Sequence, residues 1–274
     1  MQTQNNTHVV AGNTLTLESG HDTNIKGGVA SARQVIADVG TSGKGNLSIE
    51  SLQDTSNYQS KDQSIGGSVT IGYGFAASGN YNQTKVNGSF ASVGEQSGIA
   101  AGDGGFQIKV NGNTDLKGGV IASSDKAIQD NKNSLSTQTL TQVDIKNHSD
   151  FDASGFGVSG GFGVGGDKGD SKAADGSSSA PATIGGQKLQ TIQSGSTGTS
   201  AGIGCASGSS SSTTRSGISG GVVTITDDAA QQAKTGATAT QTVAGINRDV
   251  STAKDSSGAL TKDWDGQKLK DDVS

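Results

Sequence analysis

Two stretches of this 274-residue chain, "GVSGG" at Gly157 to Gly161 and "GISGG" at Gly217 to Gly221, have the G-x-S-x-G spacing of a hydrolase nucleophile elbow. Such an elbow would lift the hydroxyl of Ser159 or Ser219 out of a strained strand-to-helix turn, and it needs a histidine later in the chain. The last histidine is His148, ahead of both serines, and among 44 glycines the match is compositional. "GFGVSG" at Gly155 to Gly160 and "GFGVGG" at Gly161 to Gly166 spell G-x-G-x-x-G. Neither opens a helix of a βαβ unit, so no helix N-terminus is set to hold a pyrophosphate. His8, His21 and His148 lie far apart with no second ligand at metal-binding spacing and read as surface residues. Cys205 is the one cysteine, sits in a Ser/Gly tract and has no partner for an internal disulfide. Asp22, Asn24, Asn113 and Asp115 have a stronger claim, because oxygen ligands that converge at turns can bind Ca²⁺. The same residues form Asn/Asp ladders that satisfy turn backbones, and the ladder is the expectation here. No catalytic, cofactor-binding or metal residue is assigned, and the chain is read as no enzyme.

Those four residues belong to a longer echo. "DTNIKGGVASARQ" from Asp22 and "NTDLKGGVIASSDK" from Asn113 are 91 residues apart, and the same offset pairs Leu15 with Phe106, Leu17 with Ile108, Ile25 with Leu116 and Lys26 with Lys117. Duplication at a fixed period marks a supersecondary unit stacked on a copy of itself. Short apolar pulses at alternate positions, "LTL" at Leu15, "LSI" at Leu47, "SVTIGYGF" from Ser68 and "FQIKV" from Phe106, read as strands with one inward face. "GTSGKGN" and "NGN" separate them as turns.

Composition selects among β architectures. Leu, Ile, Val and Phe make up 50 of 274 residues and aromatic content is 4%, too little for the two large inner faces of a sandwich. A parallel β-solenoid needs only a thin aligned core, so it is the expected fold over residues 12–166, in two units of ~90 residues, about 13–103 and 104–166. At roughly 20 residues per coil this region makes about 7 coils. In Ser194 to Gly220, 21 of 27 residues are Gly, Ser or Thr, so 167–221 is expected to be a flexible linker. Residues 222–274 offer a last strand, "GGVVTITDD", and helical spacing of Val243, Ile246 and Val250, a stripe too thin to fold without a partner.

Acids outnumber Lys and Arg 25 to 20, with no basic stripe, so nucleic acid is not an expected partner. No apolar run approaches the ~20 residues of a spanning helix. Residues 1–30 lack a basic-then-apolar leader, so any export address is expected elsewhere.

The phrases "LTLESGHDTNIKGG", "NLSIESLQDTSNYQSKDQSIGGSVTIGYG", "GGFQIKVNGNTDLKGGVIASS" and "LSTQTLTQVDIKNHSDFDASGFGVSGG" resemble the haemagglutinin repeat of filamentous-haemagglutinin-like exoproteins, which include the contact-dependent growth inhibition exoproteins of two-partner secretion. The later "ITDDAAQQAKTGATATQTVAGINRDVSTAKDSSGAL" is similar to the stretch between such repeats and the toxic C-terminal region. The resemblance implies a right-handed parallel β-helix on a secreted, surface-displayed filament that adheres to target bacteria or delivers a C-terminal toxin. It implies as partners an outer-membrane two-partner secretion transporter and a target-cell receptor or outer membrane, with the target envelope as a further location on delivery. The family's N-terminal secretion domain and Val-Glu-Asn-Asn element are not found, so the chain reads as an internal or truncated piece. The alternatives are a delivery remnant without independent activity or a toxin-bearing fragment with an unrecognised effector.

Overall fold

A computed structural model describes residues 1–71, 75–164, 183–184, 187–188, 191–193, 199–252 and 254–274. From the N-terminus the chain makes two coils, β1 (Thr7–Ser19) with β2 (Thr23–Lys26), then β3 (Gly28–Val39) with β4 (Leu47–Glu50). It leaves through β5 (Gln53–Ile71) and β6 (Phe75–Val93) and returns as a third coil formed by one long strand, β7 (Gly98–Lys117). The fourth coil is β8 (Val120–Ala122), the short helix α1 (Asp125–Gln129) and β9 (Ser134–Val143). A second excursion runs through β10 (Ile145–Val164), the short β11 (Thr183–Ile184), β12 (Gln187–Lys188) and β13 (Thr191–Gln193), and then β14 (Ser200–Thr214). A fifth coil, β15 (Gly217–Ile218) and β16 (Val222–Ile225), is followed by α2 (Asp228–Thr235), α3 (Ala239–Ala244) and α4 (Gly266–Val273). Two compact units result. One comprises Met1–Thr55, Ala91–His148 and Ser211–Thr261, the other Ser56–Phe90, Ser149–Ser210 and Lys262–Ser274.

The first unit is a parallel β-helix. Thr7 pairs with Gly28, Val29 with Gly98, and Gly98 with Val120, so at this edge the uninterrupted coils advance by 21 or 22 residues. Equivalent residues stack in columns. Leu17, Ala37, Ile108, Leu135 and Val223 form one column, and Val9, Ala30, Ile99, Ile121 and Ile218 another. Ile25, Ile49 and Leu116 make a third on the opposite wall. Phe106, Leu47, Ile49, Leu116, Ile121 and Leu140 are sealed from solvent, each burial contributing about 1.5–3 kcal/mol. The repeated "KGG" marks the coil corner: Gly27 and Gly118 adopt φ of 60° and 57°, which a Cβ would oppose, and Leu52 and Ile145 fill the space beside them.

The seven coils expected over residues 12–166 are four, and a fifth is supplied by Gly217–Ile218 and Val222–Ile225. The 91-residue offset links the first coil to the third and the second to the fourth, and most of the remaining length lies in the two excursions. With five coils the stack spans about 20 Å at ~4.8 Å per strand. Part of the expected 167–221 linker lies outside the described residues. The part described is not a linker, since Ser200–Thr214 is a continuous strand and Gly217–Ile218 belongs to the fifth coil. Backbone pairing to a neighbouring strand does not need apolar side chains, and small ones leave room for it.

Of the residues expected at helical spacing only Val243 is helical, because α3 ends at Ala244; Ile246 and Val250 follow in irregular chain but are buried, and Ile246 and Val243 pack on the core cluster. Asp227 and Thr238 cap α2 and α3, and Gly236, in the left-handed region, ends α2. Beyond α3 the chain doubles back as a strap. Ile218 N–H donates to Asn247 O at 3.0 Å, Thr252 N–H to Ser123 O at 3.2 Å and Leu260 N–H to Ser92 Oγ at 2.8 Å.

Candidate functional site

The second unit is built on an antiparallel sheet of order β13-β14-β10-β6-β5. Side-chain contacts set its rows. Ser68 Oγ lies 2.8 Å from Ser78 Oγ across β5 and β6, a Cβ on Gly157 would meet Asn82 Oδ1 at 2.7 Å across β6 and β10, and Ser209 Oγ donates to Asp150 Oδ1 at 2.5 Å across β10 and β14. The same registers align Tyr58, Gly88, Phe151 and Gly208, so large rings alternate with glycines. Trp264 seats its ring over Gly88, Phe151 lies over Gly208, and Gly266, which opens α4, lies against Tyr58. Leu269 and Val273 of α4 are buried on this unit. The sheet therefore has one covered face at this end.

Further along the strands the two faces diverge. On the side continuous with the covered face stand Gly66, Ser68, Ser78, Asn80, Asn82, Gly157, Ser159 and Gly161, small or polar throughout and in mutual contact. Alternation sends Ile65, Val69, Ile71, Tyr81, Phe156, Phe162 and Ile203 to the other side. Tyr81 and Phe156 meet there with ring centroids 6.5 Å apart. Apart from the half-buried Tyr81 these side chains are open to solvent, Ile65 at 83% and Ile71 at 80%. No charged residue occurs in 63–84, 153–164 or 199–214, whereas Lys61, Asp62, Lys85, Asp150, Asp152 and Arg215 flank those stretches. An exposed, uncharged apolar face backed by a Ser/Asn/Gly face is the arrangement of a sheet that meets an apolar medium on one side and water on the other.

Residues 1–65 match the family model described as hemagglutinin repeat. Toxin CdiA of Escherichia coli is 44% identical over 160 residues, 56% of this chain and 5% of that protein. Residues 1–65 carry a haemagglutinin repeat. The 16S rRNA endonuclease CdiA of Enterobacter cloacae is 38% identical over 169 residues, 59% of this chain and 5% of its own length, and the deoxyribonuclease CdiA of Dickeya dadantii 40% over 156 residues, 56% and 4%. The chain thus spans about one twentieth of the length of each of these three relatives. No solved structure matches it.

The residues singled out by motif play structural parts. Ser159 lies mid-strand in β10 with its Oγ 2.6 Å from Ser200 Oγ. Ser219 is buried, donates to Val250 O at 2.6 Å and accepts from Ser123 N–H at 3.0 Å, so it ties the strap to the fourth and fifth coils. The first Gly-rich motif is likewise strand, and the second runs beyond the described residues at Gly165 and Gly166. His8 Nε2 is 3.3 Å from Glu95 Oε2, and Cys205 is exposed on β14. Asp22 Oδ1 accepts from Asn46 N–H at 2.7 Å, Asn46 Oδ1 from Asn113 N–H at 2.9 Å, and Asn113 Oδ1 from Thr139 Oγ1 at 2.7 Å. Thr141 Oγ1 donates to Asp115 Oδ1. These bonds make a ladder with one rung per coil, but it runs through Asn46 and Thr139 beside Asp22 and Asn113, while Asn24 stands in β2 opposite Ser48.

The apolar face is not apparent in "SVTIGYGF" and "GFGVSGGFGV", whose alternation fits solenoid ribbon equally well. The signal that marks it is the loss of charge over 63–84 and 153–164.

Proposed function

We propose that this segment is a non-catalytic part of the delivery filament of a contact-dependent growth inhibition exoprotein, and that the uncharged apolar face of its antiparallel sheet engages the outer membrane of the target bacterium. The observation that carries the reading is the one-sided sheet: Ile65, Val69, Ile71, Phe156, Phe162 and Ile203 on one face, Ser, Asn and Gly on the other, and no charge between. A strand of 9–11 residues crosses a bilayer core, and the charge-free stretches are of that order. Relatives named for different activities, an rRNA endonuclease and a deoxyribonuclease, match much the same share of this chain, which supports a role in carriage rather than in chemistry. In the full-length protein the segment would be exported through a two-partner secretion transporter and displayed at the cell surface.

Flotation of the purified chain with protein-free vesicles of outer-membrane lipid tests the membrane contact. The chain should float with the vesicles, and Ile65→Asp with Phe162→Asp should return it to the soluble fraction. A wild-type chain that stays soluble, or floats only with vesicles that retain receptor proteins, overturns the lipid reading.

A further inference from the structure

The sheet of the second unit ends at β5, and among the described residues no strand pairs along the outer edge of β5 beyond Thr55. At Thr55 itself that edge is taken. Gln2 N–H donates to Thr55 O at 2.7 Å and Thr55 N–H to Gln2 O at 2.9 Å, an antiparallel hydrogen-bonded pair.

The duplication explains this isolated bridge. Between β6 and β10, Asn82 fills the space over Gly157 and Ser78 lies beside Gly161, one antiparallel register that, extended along both strands, puts Val93 opposite Lys146. Moved back by the 91-residue repeat, Val93 opposite Lys146 becomes Gln2 opposite Thr55. Gln2 therefore occupies the place of the last residue of a return strand, and β5 faces outward as β10 faces β6.

We propose that the outer edge of β5 is a docking site for the return strand of another haemagglutinin repeat, antiparallel and in the register fixed by Gln2 and Thr55. Each repeat then adds an outgoing and a return strand, and the sheet grows by two strands per repeat while the solenoid grows by two coils. The edge suits this occupant: from Gln63 to Ile71 it carries no charge to oppose a neutral strand, and its alternation continues the apolar face on one side and the Ser/Gly face on the other. The proposal is independent of the membrane reading and is tested in aqueous solution.

The test is the full chain in a Cys205→Ser background, extended before Met1 by a copy of its own residues 75–91. The register puts the copy of Thr84 opposite Ser64 at a non-hydrogen-bonded site, where a disulfide fits. With Ser64→Cys, Thr84→Cys in the copy should cross-link at least tenfold faster than Gln83→Cys in the copy, which points to the other face. Without cysteines, the extension should slow amide exchange over residues 57–71 by at least tenfold. If the extended chain does not fold, a peptide of residues 75–93 added to the unextended chain should give the same protection. Equal cross-linking at the two positions, or unchanged exchange, overturns the proposal.

Discussion

The side-chain amide of Gln231 occupies the place of a strand. Its Oε1 accepts from Leu140 N–H at 2.8 Å and its Nε2 donates to Leu140 O at 2.9 Å, so a residue of α2 completes the hydrogen bonding of β9 where a fifth-coil strand would have done so. Nε2 also reaches Thr235 and Thr242 Oγ1, and no part of Gln231 is exposed. The coil stack ends because the chain turns from strand to helix and this amide closes the edge.

Gln231→Leu keeps the bulk but leaves the Leu140 N–H and C=O buried without a partner, at about 1–3 kcal/mol each. Chemical denaturation should show a loss of that order and a cooperative transition. Amide exchange at Leu140 should accelerate, whereas exchange at Ile49 in the second coil should not change below the unfolding limit.

The duplicated lysines clasp one acid. Lys26 Nζ is 3.0 Å and Lys117 Nζ 2.9 Å from opposite oxygens of Glu50, stacked in register across the first three coils. Hydrogen bonds from Lys117 and then Lys26 hold the Glu50 carboxyl below its usual 4.5. A depressed folded-state pKa means that this contribution is fully present above the unfolded value and is lost as pH falls through the folded one. Both lysines are exposed, so Glu50→Gln should cost only about 0.2–1 kcal/mol at pH 7. The difference in melting temperature between wild type and variant should shrink toward zero as pH drops below 4.5 and should be smaller in high salt.

Trp264, the one tryptophan of the chain, is 5% exposed, and a Cβ at Gly88 would lie 2.5 Å from its ring. Gly88→Val should unseat it. Fluorescence emission should move to longer wavelength, with a stability loss of about 1–3 kcal/mol from overpacking. An unshifted spectrum would contradict the packing described.

Phe106 stacks in register on Val35 in the solenoid core and is 1% exposed. Phe106→Ala should cost about 3–5 kcal/mol by denaturation, much more than the Glu50 variant, because columns of aliphatic side chains and not surface ion pairs hold the coils together.

Much of the solenoid could be read from sequence because its columns are regular. Leu17, Ile108 and Leu135 alternate with polar residues, and Ile25 and Leu116 recur at one offset. Sequence does not separate the excursions from coils, because a two-residue period is common to parallel and antiparallel strands, and "SVTIGYGF" carries no mark of which neighbour it will meet. Ser200–Thr214 was unreadable for the opposite reason. Its Gly and Ser side chains carry almost no pattern, and its strand exists through backbone pairing that only the fold supplies. Gln231 gave no signal at all, since a buried amide cannot be told from a surface one in "DDAAQQAK".

The strap has a mechanical consequence. Its contacts follow one another along the unit, from Gly258 on Asn147 and Ser256 on Gln96 to Thr252 on Ser123 and Asn247 on Ile218, before the chain reaches α3 and α2. Tension that reaches the strap from the C-terminal side is met first at Leu260 and must then peel these attachments in turn. Gln231, which closes the last edge of the stack, is the last to feel the load.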